Sequence, residues 1–145
     1  MELFIDADGC PVTNIAVRLA KQYHIPCTIF CDTAHEMTRD GATTITVSKG
    51  ADSVDFALVN RIHAGDLVVT QDYGLAAMCL SKQAIPIHQD GMVYTDDNIE
   101  GLLFFRAAAK KIRNAGGRLK GASKRTREQD RAFAAALERL LEERV

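Results

Sequence analysis

No apolar run in the sequence approaches the ~20 residues that a membrane span requires. No basic segment followed by a long apolar stretch opens the chain, so a secretory signal peptide is not expected. The expectation is a cytoplasmic protein with no membrane partner. Internal repeats, low-complexity tracts and linkers are also missing, which leaves a 145-residue chain of ordinary single-domain length. Hydrophobic residues at 47% and charged residues at 26% suit a soluble globular fold with one core. The four cysteines, Cys10, Cys27, Cys31 and Cys79, follow no zinc-ligand spacing and have no histidine pair beside them. Cys27, Cys31 and Cys79 read as buried free thiols. Cys10, near a predicted helix start, is the one thiol whose pKa a helix N-terminus would lower.

One further absence is local. Residues 101–127 hold 9 bases and no acid, whereas residues 1–100 hold 14 acids against 6 bases and residues 128–145 hold 5 acids and 3 bases. The net charge of −1 conceals an acidic body beside a concentrated basic segment. That asymmetry points to a polyanionic partner.

The most informative stretch that is present runs Leu3-Phe4-Ile5-Asp6-Ala7-Asp8-Gly9-Cys10-Pro11. It reads as a short buried strand ending in a tight turn, with Pro11 as first residue of a helix. Two carboxylates thus stand at the carboxyl end of a strand, where open parallel sheets bind ligands. Asp6 and Asp8 are two residues apart and point the same way in extended chain. Close carboxylates repel unless a cation or a shared proton holds them.

Further along, Val12, Ile15, Ala16, Leu19 and Ala20 repeat at helical spacing from Pro11 to about Tyr23. Cys27–Cys31, Thr43–Val47, Leu67–Thr70 and Ile85–His88 read as strands, the last peripheral because of Pro86. Helices are expected over about 51–63 and 75–82, and Met92–Tyr94 as a short return strand. This alternation predicts an α/β fold with a mostly parallel sheet. Two helices should follow in residues 97–145, packed on the same domain. The first is expected from Asn98 to Asn114 with Asp97 as N-cap, and the second behind a Thr126/Gln129 capping box. Phe104 and Phe105 are expected in the core.

If the sheet order is 3-2-1-4-5, strands 1 and 4 are neighbours where the winding reverses. Asp6 and Asp8, then Asp52 and Asp55 on the first turn after strand 3, then Asp72 after strand 4, converge on one crevice. Each acid alone has an ordinary structural use as a cap or turn residue. Together they form the donor set that one or two Mg²⁺ or Mn²⁺ ions take. Arg106, Lys110 and Arg113 on the predicted helix, and Arg118, Lys120, Lys124 and Arg125 after it, are candidate nucleic-acid phosphate contacts.

The pieces DADGCPV (Asp6 to Val12), VSKGADSVD (Val47 to Asp55), GDLVVTQD (Gly65 to Asp72) and DNIEGLLFFR (Asp97 to Arg106) resemble the YaiI/YqxD-like family of uncharacterised bacterial proteins, the UPF0178 type. That family in turn resembles PIN-domain nucleases. The resemblance implies a single three-layer PIN-like domain over residues 1–145, with an α/β core to residue 96 and a C-terminal helical extension. It implies Mg²⁺- or Mn²⁺-dependent hydrolysis of phosphodiesters in RNA. Asp6 matches the first-strand acid, Asp55 or Asp52 the mid-chain acid, and Thr70 with Asp72 the late T-x-D signature. Asp8 stands where related folds place a polar residue. PIN domains commonly have Glu at the mid-chain position, where this chain offers two Asp.

Two other functions fit parts of the pattern. A non-catalytic nucleic-acid-binding module would keep the basic segment without the chemistry. FIDADGC also resembles the DxDG start of haloacid-dehalogenase-like phosphatases, with Asp6 as nucleophile and Asp8 as general acid. The flap that family inserts before its first helix has no room ahead of Pro11, and Gly65-Asp66 precedes its strand instead of following it.

Overall fold

A computed structural model describes residues 1–50, 52–117 and 124–144. Strands β1 (Leu3–Asp6), β2 (Cys27–Asp32), β3 (Thr43–Val47), β4 (Leu67–Val69) and β5 (Ile85–Ile87) form one sheet in the order β3-β2-β1-β4-β5. All four pairings are parallel. The β1/β4 neighbours flank the point where the winding reverses, which leaves a crevice at their carboxyl ends.

Helices α1 (Thr13–Gln22), α2 (Ser53–Val59), α3 (Tyr73–Ser81), α4 (Asp96–Asn114) and α5 (Arg127–Arg144) flank the sheet. Successive strand residues point to opposite faces, so β1 splits its side chains. Leu3 and Ile5 pack with Ala16, Leu19, Phe133, Leu137 and Leu141 of α1 and α5. Phe4 packs with Phe30, Leu58, Ile62, Leu75 and Cys79 on the α2/α3 side. Both faces are covered, which is why the central strands read as continuous apolar runs rather than as alternation. Phe133, Leu137 and Leu141 are fully buried, each contributing about 1.5–3 kcal/mol. Gly91 (φ +95°) makes the turn after β5 fit under α5, since a Cβ there would lie 2.7 Å from the Ala132 carbonyl oxygen.

Several local expectations change. Pro11 precedes α1, which starts at Thr13 with Val12 as N-cap. Helix α2 ends at Val59, although Ile62 beyond it stays buried. Met92–Tyr94 forms only a single bridge, Val93 to Ile87. Thr95 rather than Asp97 caps α4, because Asn98 reciprocates its bond. The Thr126/Gln129 box is present.

The largest change concerns α4. Ile99, Leu102 and Leu103 pack against α3 residues and Tyr94. From Phe104 to Asn114 the helix is exposed apart from the half-buried Ala108 and Ala109. Phe104 and Phe105 are therefore not core: they are 71% and 72% exposed, in a T-shaped pair. No described helix is long and apolar enough to cross a membrane.

Candidate metal centre

The crevice at the strand ends has a volume of about 240 Å³ and is lined by six carboxylates, Asp6, Asp8, Asp32, Asp52, Asp55 and Asp72. Its described lining includes no basic residue. The five acids singled out in the sequence all reach it, from β1, its following turn, the start of α2 and the turn after β4.

Asp6, the last residue of β1, is held by the fully buried Thr70, whose hydroxyl donates to Asp6 Oδ2 at 2.8 Å. The Thr70 hydroxyl oxygen also accepts the Asp72 N–H at 3.0 Å. The Thr70 carbonyl in turn accepts from the Tyr94 hydroxyl at 3.1 Å. The T-x-D element is thus a clamp: Thr70 positions both acids around it. Asp72 caps α3, its Oδ1 accepting the N–H groups of Gly74 and Leu75. Asp52 occupies the N-cap position of α2 in a left-handed conformation (φ +61°) and makes no side-chain cap, so its carboxylate is not spent on the helix.

Two of these acids, Asp6 and Asp55, are shifted by burial and by their acidic neighbours. Burial raises the Asp6 pKa to about 6; the Thr70 hydrogen bond opposes the shift, and repulsion from Asp72 and Asp8 adds to it. Asp55 is raised to about 7 by burial, repulsion from Asp72 and Asp6, a hydrogen bond with Asp72, and Asp52. Carboxyls crowded together repel one another, and a bound cation would relieve that repulsion. The donors are carboxylate oxygens, the hard ligands that Mg²⁺ and Mn²⁺ prefer. The residues present therefore fit such an ion.

A second group sits at the rim. Asp8, Asp32 and His35 each offer one ligand atom, all within 4.8 Å of one another. His35 Nδ1 lies 2.9 Å from Asp32 Oδ1 and 3.5 Å from Asp8 Oδ1. That bond to His35 is the main cause of a lowered Asp32 pKa. Sequence reasoning missed Asp32 and His35. The available signal was Asp32 closing β2, the neighbour of β1, just as Asp6 closes β1.

The basic residues scatter. Arg106 Nη1 stands 3.5 Å from Asp72 Oδ1. Lys110 and Arg113 are exposed further along α4, and Lys124 is exposed ahead of α5. Arg118 and Lys120 lie outside the described residues. Arg125, grouped with them from the sequence, is instead tied into the fold: its guanidinium meets Asp90 at 2.6 Å, Asp130 at 2.7 Å and the Gln89 carbonyl at 2.7 Å. Cys10 is half-buried and its pKa is raised by burial, not lowered. Asp66 is buried at the amino end of β4, accepting the Glu2 and His63 N–H groups. It therefore has no place in the crevice.

Residues 4–143 match the family described as "Uncharacterized BCR, YaiI/YqxD family". The chain is 51% identical over 145 residues to a UPF0178 protein of Exiguobacterium sibiricum, covering 100% of this chain and 99% of that one. It is 48% identical over 143 residues to a UPF0178 protein of Clostridium acetobutylicum, covering 97% of each. A UPF0178 protein of Ruminiclostridium cellulolyticum is 50% identical over 137 residues, 94% of this chain and 90% of that one. No solved structure matches the chain.

Proposed function

The chain belongs to the YaiI/YqxD family, and we propose that its acidic crevice serves a divalent-metal-dependent phosphodiesterase acting on single-stranded nucleic acid, RNA foremost. The observation that carries this reading is the convergence of Asp6, Asp55 and Asp72 from three distant stretches into one crevice whose described lining holds no basic residue. Burial and mutual repulsion raise two of them, Asp6 and Asp55. The match of Asp6 to the first-strand acid and of Thr70 with Asp72 to the T-x-D signature of PIN-domain nucleases favours RNA over DNA.

In this reading Asp6, Asp55 and Asp72 hold Mg²⁺ or Mn²⁺, with Thr70 fixing the first and the last. When bound, such a cation polarises a phosphoryl oxygen and lowers the pKa of water. Asp8 and Asp52, more exposed at the rim, orient the attacking water. Arg106, beside Asp72, meets the phosphate backbone. Lys110 and Arg113 extend that positive track along α4 and give backbone-directed, weakly sequence-specific binding.

The test is cleavage of a labelled single-stranded RNA with Mn²⁺ by the wild type and by Asp6→Asn and Asp55→Asn. Cleavage by the wild type and its loss in both variants is expected. Salt-dependent binding without cleavage under any divalent metal would leave a nucleic-acid-binding module in place of an enzyme.

A further inference from the structure

Next to the acidic crevice lies a second cleft of about 350 Å³, between α2, α3 and α4. Asp52, Asp55 and Asp72 border both. The other walls change character: Phe56, Met78, Gly74 and Arg106. Phe56 follows Asp55 directly on α2 and is 58% exposed, whereas Leu58 on the same helix is fully buried. A phenyl ring left in water beside a polar crevice is an unspent stacking surface. Arg106 is the one basic residue in the described lining of either cleft. Its pair with Asp72 is at 3.5 Å, with the two side chains 57% and 38% exposed, so the pair is weak and the guanidinium can take another anion.

We propose that this cleft is a nucleobase subsite. The base of the nucleotide flanking the phosphodiester in the acidic crevice stacks on Phe56 above Met78, and Arg106 takes that nucleotide's own phosphate. The inference rests on the phosphodiesterase reading of the crevice and adds to it the place where the substrate is gripped. Three observations favour this occupant. The shared wall of Asp52, Asp55 and Asp72 sets the ring one step from the carboxylates, so one ligand can span both clefts. The lining combines an aromatic ring, a thioether and a guanidinium, which suits stacking plus a phosphate contact. The volume is at the low end of the ~300–1,000 Å³ of small-ligand pockets, which suits one ring system. Base choice in such a site is tolerant, because every base has a π-face.

The test is fluorescence anisotropy of a labelled single-stranded oligouridylate on the full chain, with Ca²⁺ replacing Mn²⁺ so that binding is read without turnover. Phe56→Ala should weaken binding by roughly 5- to 150-fold, the range of one lost base–aromatic stack, and Phe56→Tyr should restore it. Arg106→Gln should weaken binding and make the slope of log K against log salt shallower by about 0.7. An oligonucleotide with an abasic residue at the occupying position should lose as much affinity as Phe56→Ala, and the two losses should not add. Equal binding by the wild type and Phe56→Ala would overturn the subsite while leaving the crevice reading intact. A wild type that neither binds nor cleaves any nucleic acid would overturn both. A changed oligomeric state in Phe56→Ala, read by light scattering, would make the ring a contact between copies of the chain and overturn the subsite alone.

Discussion

The Thr70 hydroxyl donates to Asp6 Oδ2 at 2.8 Å across the β1/β4 boundary, and its own oxygen accepts the Asp72 N–H at 3.0 Å. One buried side chain therefore sets the spacing of two acids that the sequence separates by 66 positions.

Thr70→Val keeps the shape and removes both bonds. It should destabilise the fold by about 1–3 kcal/mol, the cost of leaving buried polar groups unpaired. Mn²⁺ affinity should fall by roughly 10- to 100-fold, as for other residues that orient metal ligands. Thr70→Ser should recover most of both. Thermal melts and a Mn²⁺ titration read the two effects separately; unaltered Mn²⁺ affinity in Thr70→Val would deny the clamp its role.

The metal-free protein should become less stable as pH rises through the neutral range. Asp6 is raised to about 6 and Asp55 to about 7, from 3.8. Below 3.8 both are protonated whether the chain is folded or not. Between there and about 7 the folded state keeps protons that the unfolded chain has released, so stability drops with pH and the loss is complete above about 7. Melting temperature from pH 4.5 to 8 checks the sign. Asp6→Asn should flatten the profile and, at pH 7.5 without metal, melt no lower than wild type. A mutant that melts well below it would make Asp6 a structural residue.

Arg125 and the α4 bases should separate cleanly. Arg125→Ala breaks contacts to Asp90, Asp130 and the Gln89 carbonyl and should cost about 1–3 kcal/mol. It should leave the salt dependence of nucleic-acid binding unchanged. Lys110→Gln with Arg113→Gln should do the reverse: unchanged melting, and a log K against log salt slope shallower by up to ~0.7 per lost single-strand contact. A large loss of stability in that pair would show that these side chains support the fold.

The apolar runs of β1, β2 and β4 mark strands covered on both faces, and the supposed order 3-2-1-4-5 is the order the sheet has. The crevice followed from that order, since it brings the ends of β1 and β4 together. Asp32 and His35 were less legible: nothing local distinguishes Asp32 from a turn residue, and only the β2/β1 adjacency carries it toward Asp8. Phe104 and Phe105 were misread because they continue the apolar run of Leu102 and Leu103, while the helix outruns the α3 surface that buries those two. Arg125 looked like its basic neighbours because its partner Asp90 is 35 positions away. Thr95 and Asp97 are both good caps, and only the Asn98 side chain, bonding back to Thr95, decides between them.

The central claim is that the crevice binds a divalent cation through Asp6, Asp55 and Asp72. A crystal soaked in Mn²⁺ and measured at the manganese absorption edge tests it most directly. An anomalous peak is expected within about 2.0–2.4 Å of carboxylate oxygens from these three residues, and it should disappear in Asp6→Asn. A peak only among Asp8, Asp32 and His35, or none at saturating Mn²⁺, would contradict it.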